Sequence, residues 1–127
     1  KHVLMIRKII IGIGLNGLAL YLVTYFLDDV TVSGGFFLFA VGGIILGILN
    51  TLIKPIIKTL AIPLIFLTGG LILIVINTGL LWLTKEVIDI IAIPNLSIEI
   101  PTFIDYLIAG LLFGVINWVE HLIIHNK

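Results

Sequence analysis

Long apolar runs separated by short polar segments dominate this chain. The uncharged runs span residues 9–27, 30–53, 59–84 and 106–119. A helix needs about 20 residues to cross the hydrocarbon core of a bilayer, and the last run approaches that length when Ile104 and residues 122–124 are added. Because lipid offers no partner for an open sheet edge, the runs predict membrane-spanning helices rather than strands.

The predicted fold is an all-α integral membrane protein with four transmembrane helices in two tandem hairpins of the same topology. Residues 1–54 form the first hairpin, residues 55–68 an inner connecting segment and residues 69–127 the second hairpin. The four predicted transmembrane helices cover about residues 5–27, 36–54, 69–90 and 104–124.

The connections between these helices have patterns of their own. Pro55 and Pro63 interrupt the inner connection, which predicts a short helix over residues 56–62, either interfacial or re-entrant. The outer loops contain alternating stretches at residues 30–32 and 96–100, which predict short strands that pair with each other above the membrane.

Composition agrees with a membrane protein. The chain is 61% hydrophobic and 11% charged, whereas about a quarter of a soluble domain is charged. The net charge of zero argues against a nucleic-acid partner, so the lipid bilayer is the predicted surroundings. Cysteine is absent, which excludes disulfides and thiolate metal sites; no metal or cofactor is predicted.

The basic residues predict the orientation. With four spans, six of the seven lie on one side and only Lys85 on the other; the six are Lys1, Arg7, Lys8, Lys54, Lys58 and Lys127. Positive charge is concentrated in cytoplasmic loops. We therefore expect a multi-pass protein of the cell membrane with both termini in the cytoplasm.

An internal repeat relates the two hairpins. At an offset of 67, Gly43, Gly47 and Asn50 of the second helix match Gly110, Gly114 and Asn117 of the fourth. At an offset of 61, Asn16 of the first helix matches Asn77 of the third. The shared orientation of the repeats predicts a pseudo-two-fold axis along the membrane normal.

The repeated glycines and asparagines are the candidate site. Each pair of glycines forms a GxxxG motif, which lets a neighbouring helix backbone approach closely, and the asparagine three residues later shares that face. The asparagines either clamp helices together or line a polar path through the membrane. The same faces also allow contacts between protomers.

Lys54 and Lys58 lie at the inner interface. Lys54 is either a snorkelling anchor or, together with Lys58, a contact for lipid phosphate. No catalytic residue is predicted, because acids and histidines are absent from the centres of the spans.

The sequence also resembles a family of small bacterial membrane proteins. The resemblance rests on residues 50–55, on Ile62-Pro63-Leu64, on residues 67–70 and on Ile76-Asn77. It is to the phage holins of the mycobacterial four-transmembrane superfamily IV, which includes YvlD-like proteins. This resemblance implies a bacterial inner membrane and, from the family name, pore formation.

Three functions follow as hypotheses. The first is a non-enzymatic membrane protein that acts by self-association, as a homo-oligomer or as a subunit of an envelope assembly. The second is a holin-like pore or small channel. The third is a transporter of lipid or a small solute.

Overall fold

A computed structural model describes residues 2–125; Lys1 and Lys127, two of the basic residues predicted on the inner side, lie outside the described residues. The elements are α1 (His2–Phe26), β1 (Thr31–Ser33), α2 (Gly35–Leu52), α3 (Lys54–Leu60), α4 (Ile62–Leu67), α5 (Ile72–Ile91), β2 (Ser97–Glu99) and α6 (Phe103–His125). The end that carries the strands is called the outer end below, and the end that carries α3 and α4 the inner end.

Three helices among residues 2–125 are long and apolar enough to cross a membrane. They contain the segments Val3–Phe26, Gly35–Leu52 and Phe103–Ile124. Helix α5 has 20 residues, but Lys85, Glu86 and Asp89 stand in its last two turns. Length and composition therefore mark α1, α2 and α6 as candidate spans, and they do not mark α5 as one.

The inner connection forms two short helices, where the sequence predicted one. Pro55 and Pro63 each occupy the first turn of a helix, α3 and α4 respectively. A proline lacks the N–H that an uninterrupted helix would use, and its ring clashes with the carbonyl four residues earlier. The chain accordingly breaks at Ala61, and α4 begins beyond it.

The four long helices pack into one bundle. Helix α1 contacts α2 and α6, and α5 contacts α6 and α2. The centre of the bundle is apolar: Leu20, Leu38, Leu46, Leu81 and Phe113 are each at most 2% exposed. The opposite surfaces of the same helices carry exposed large apolar side chains, as expected where lipid is the solvent.

A small sheet covers the outer end. Strands β1 and β2 pair antiparallel, with Thr31 opposite Glu99 and Val32 opposite Ile98. Ile98 is 1% exposed, and Val30, Leu96 and Ile100 are buried in the same apolar cluster. The ladder therefore joins the two outer loops over the apolar outer end of the bundle.

Candidate functional site

Two asparagines join α1 to α2. Asn16 is 1% exposed, and its side-chain oxygen accepts a hydrogen bond of 2.9 Å from Nδ2 of Asn50. The Asn16 amide in turn donates to the carbonyl of Gly12, one turn earlier in α1, at 2.7 Å. The bond between the two asparagines joins two helices of one chain, as expected for side chains that clamp helices together.

The equivalent pair joins α5 to α6. Asn77 is 5% exposed, and its Oδ1 accepts a hydrogen bond of 3.2 Å from Nδ2 of Asn117. Asn77 follows Asn16 by 61 residues and Asn117 follows Asn50 by 67, and in both pairs the bond runs from Nδ2 to Oδ1. The offsets found in the sequence therefore recur as a repeated contact.

Lys54 adds a cation to the second pair. Its ammonium donates to Oδ1 of Asn77 at 2.7 Å, so the side chain turns toward the bundle. Burial lowers the pKa of Lys54, nearby Lys58 lowers it further, and Glu120 raises it. Lys58 is exposed; of the two lysines singled out as phosphate contacts, it alone has a side chain open to the surroundings.

Glu120 also belongs to the cluster. A Cβ placed on Gly12 would lie 3.0 Å from Oε2 of Glu120, so this carboxylate rests against α1 one turn before Asn16. The sequence alone did not mark Glu120 as part of a site. Its spacing was the missed signal, because Glu120 follows Asn117 by three residues and so shares its helix face.

The GxxxG glycines lie at contacts within the chain. A Cβ on Gly43 would stand 2.7 Å from the carbonyl oxygen of Ile13 and 3.0 Å from the amide nitrogen of Gly17. A Cβ on Gly110 would stand 2.8 Å from the carbonyl oxygen of Ile74, and Ile74 matches Ile13 at the offset of 61. Both sites are tighter than a side chain allows, so each glycine permits close packing of two helices.

The second glycine of each motif is less tightly held. A Cβ on Gly47 would lie 3.4 Å from Cγ1 of Ile13, and one on Gly114 would lie 3.4 Å from Nδ2 of Asn77. All four glycines therefore face a helix of their own chain. The motifs do not supply a free surface for a second protomer, which was one of the sequence-based interpretations.

A threonine that the sequence reasoning did not single out strengthens the α5–α6 contact. Thr78 donates to the carbonyl of Ile74 at 2.8 Å and to the carbonyl of Tyr106 at 3.1 Å. Among the described residues, every fully buried side-chain nitrogen and oxygen has a hydrogen-bond partner. The polar atoms inside this bundle therefore satisfy one another.

The chain has recognisable relatives. Residues 7–119 match the family described as mycobacterial 4 TMS phage holin, superfamily IV. An uncharacterized protein of Streptomyces coelicolor is 32% identical over 108 residues, which cover 81% of this chain and 84% of that protein. No solved structure matches.

Proposed function

This chain belongs to the mycobacterial 4 TMS phage holin superfamily IV, and from that premise we propose a non-enzymatic membrane protein whose chains associate into a holin-like pore. The observation that carries the proposal is the closed interior. Its asparagines, Lys54 and tight glycines are engaged with one another inside one chain. A water-filled path, where one forms, then lies between chains.

Helix α5 is the third of four spans in this proposal. Its charged residues are confined to its outer end, and Lys85 and Asp89 form an ion pair of 2.9 Å there. Its inner part carries Asn77 and Thr78 buried against α6. With four spans both termini share a side, and the basic residues favour the cytoplasmic side of the inner membrane.

The two hairpins are proposed to share one topology about a pseudo-two-fold axis. The recurrence of the asparagine bond and of the tight glycine contact at the same offsets supports this arrangement. The inner connection is proposed to lie in the inner leaflet, since no residue of α3 and α4 is fully buried in the bundle. Ten of these 13 residues are apolar, and water would be a poor solvent for such a surface.

The absence of an enzymatic role is supported by how the polar side chains are used. At the start of α6 the Thr102 hydroxyl accepts from the backbone N–H of Asp105 at 3.1 Å and donates to its carboxylate at 2.9 Å. That exchange is a helix cap. Ser33 donates to the carbonyl of Asn95 at 3.0 Å, which ties the two outer loops together.

Liposome flux tests the pore. Purified protein is reconstituted at several protein-to-lipid ratios into vesicles that hold a small ion and a large dye. We expect release of both, with a rate that rises more steeply than in proportion to protein, because several chains build one lumen. Tight vesicles with inserted protein would reject the pore.

Thiol labelling separates a lumen between chains from one within a chain. The protein has no cysteine of its own, so Asn16→Cys reports the interior. Thr31→Cys, on the exposed edge of β1, is the reactive control. We expect water-soluble maleimide to label Thr31→Cys and to leave Asn16→Cys unlabelled during flux. Labelling of both cysteine variants, together with a release rate proportional to the amount of protein, would place the water-filled path inside one chain.

A further inference from the structure

A groove of about 330 Å³ opens between the middle of α5 and the outer end of α6. Its walls include Gly79 and Trp82 of α5, Phe103 and Tyr106 of α6, and Pro101 of the preceding loop. The space beside Gly79 is open, since a Cβ placed there would meet no atom within 4 Å. The groove thus lies beside the Thr78–Tyr106 hydrogen bond.

The first hairpin differs at the matching position. There Leu18 stands where the second hairpin has Gly79, by the offset of 61. The rings of Tyr21 and Phe39, which match Trp82 and Tyr106, meet edge to face at 5.6 Å. The second hairpin thus has no side chain at the position where the first carries Leu18, which is 45% exposed.

The rim of the groove carries both signs of charge. Lys85 lies one turn beyond Trp82 and pairs with Asp89 at 2.9 Å, and Glu99 directly precedes Ile100 of the groove wall. Tryptophan and tyrosine are typical of the boundary between hydrocarbon and headgroups. An apolar groove that ends under such a rim fits a molecule with an apolar chain and a head that bears both charges.

We propose that the groove binds one acyl chain of an outer-leaflet phospholipid with a zwitterionic headgroup. The phosphate would lie toward Lys85, which also pairs with Asp89, and the ammonium toward Glu99. The exposed faces of Gly79 and Trp82, the latter 51% exposed, give the chain a lateral entrance from the bilayer. This inference rests on the proposed crossing of the membrane by α5 and is independent of pore formation.

Tryptophan quenching by lipids with brominated acyl chains tests the site. The protein has two tryptophans, so Trp118→Phe leaves Trp82 as the reporter and Trp82→Phe leaves Trp118 as the reference. We expect Trp82 to be quenched at lower fractions of brominated zwitterionic lipid than Trp118. Brominated anionic lipid should quench Trp82 less at the same fraction, because the rim carries more acids than bases.

Gly79→Leu is the decisive variant, because it places in the second hairpin the residue that the first already carries. Gly14→Leu is its control, since a Cβ on Gly14 also meets no atom within 4 Å and lies on α1. In the Trp118→Phe background, we expect Gly79→Leu to remove the excess quenching and Gly14→Leu to leave it unchanged.

Three results would overturn the inference. Quenching of Trp82 equal to that of Trp118 and unaffected by Gly79→Leu would show ordinary contact with bulk lipid and no site. Weak quenching that grows as the protein is diluted in lipid would show that a second copy covers the groove. The absence of quenching of Trp82 by any lipid would reject the crossing of the membrane by α5, and with it the proposed four-span arrangement.

Discussion

Replacing Asn77 by alanine should destabilise the protein much more than the equivalent replacement of Asn16. Each asparagine accepts a hydrogen bond from its partner on the neighbouring helix, at 3.2 Å for Asn77 and 2.9 Å for Asn16. Asn77 alone also accepts from Lys54, at 2.7 Å. The two substitutions remove the same atoms, but Asn16→Ala also removes the 2.7 Å bond to the Gly12 carbonyl, so the difference between the two variants is the least that the bond to the cation contributes.

The magnitudes follow from the kinds of bond. An interhelical hydrogen bond in a membrane contributes about 0.6 kcal/mol on average and up to about 1.7 kcal/mol, which sets the expected cost of Asn16→Ala. A bond to a charged group contributes about 1.5–3 kcal/mol. Because Lys54 is only half-buried, we expect the lower part of that range as the difference, which corresponds to about tenfold in the unfolding equilibrium constant.

The assay is unfolding in mixed micelles by titration with SDS, followed by far-ultraviolet circular dichroism. The four proteins are the wild type, Asn16→Ala, Asn77→Ala and Asn77→Ala combined with Lys54→Met. Lys54→Met should abolish the excess cost of Asn77→Ala, since no ammonium is then left without its acceptor. Equal costs for the two alanine variants would refute the bond from Lys54 to Asn77.

Three further predictions concern packing, lipid contact and pH. Gly43→Leu and Gly110→Leu should each lower the free energy of unfolding well beyond Gly14→Leu, since their Cβ atoms would stand 2.7 and 2.8 Å from backbone oxygens; equal stabilities in the same SDS titration would contradict the packing. Lys58→Gln should reduce the preference for anionic over zwitterionic spin-labelled lipid while Lys54→Gln leaves it unchanged, and the reverse result would place Lys54 at the phosphates. Burial lowers the pKa of Lys54 from 10.5 to about 8, so between these values the unfolded chain binds the proton that the folded one has released; stability should therefore rise with pH across this window and stay flat in Lys54→Met.

Much of this fold follows from apolar runs and helix breakers. The long helices end at polar or glycine-containing segments, and Pro55 and Pro63 each begin a helix of the inner connection. The sequence predicted one short helix there, because two prolines can mark the two ends of one helix as readily as the starts of two helices. The break at Ala61 depends on the carbonyl that Pro63 obstructs, four residues earlier.

The partners of the polar residues were harder to predict. The repeat brought Asn16 and Asn77 to notice, yet a GxxxG-Asn face specifies close packing without specifying whether the second helix belongs to the same chain. The direction of Lys54 was equally open, because its flexible four-carbon stem reaches the interface or the bundle from the same backbone position. The contact between α5 and α3 brings Asn77 within reach of Lys54 and so fixes the direction of the lysine side chain.

The ties between the hairpins favour association of whole chains over the opening of one. At the inner end, Lys54 joins the connection to Asn77; at the outer end, the paired strands hold Val30, Leu96, Ile98 and Ile100 out of water. Burying one such side chain is worth about 1.5–3 kcal/mol, so parting the two hairpins would cost on the order of 10 kcal/mol. A state of that energy has a negligible population, whereas the association of intact bundles through their lipid-facing surfaces breaks none of these contacts. Variants that weaken the ladder, such as Ile98→Ala, should therefore lower stability without making flux proportional to protein; proportional flux in that variant would show that a single opened chain conducts.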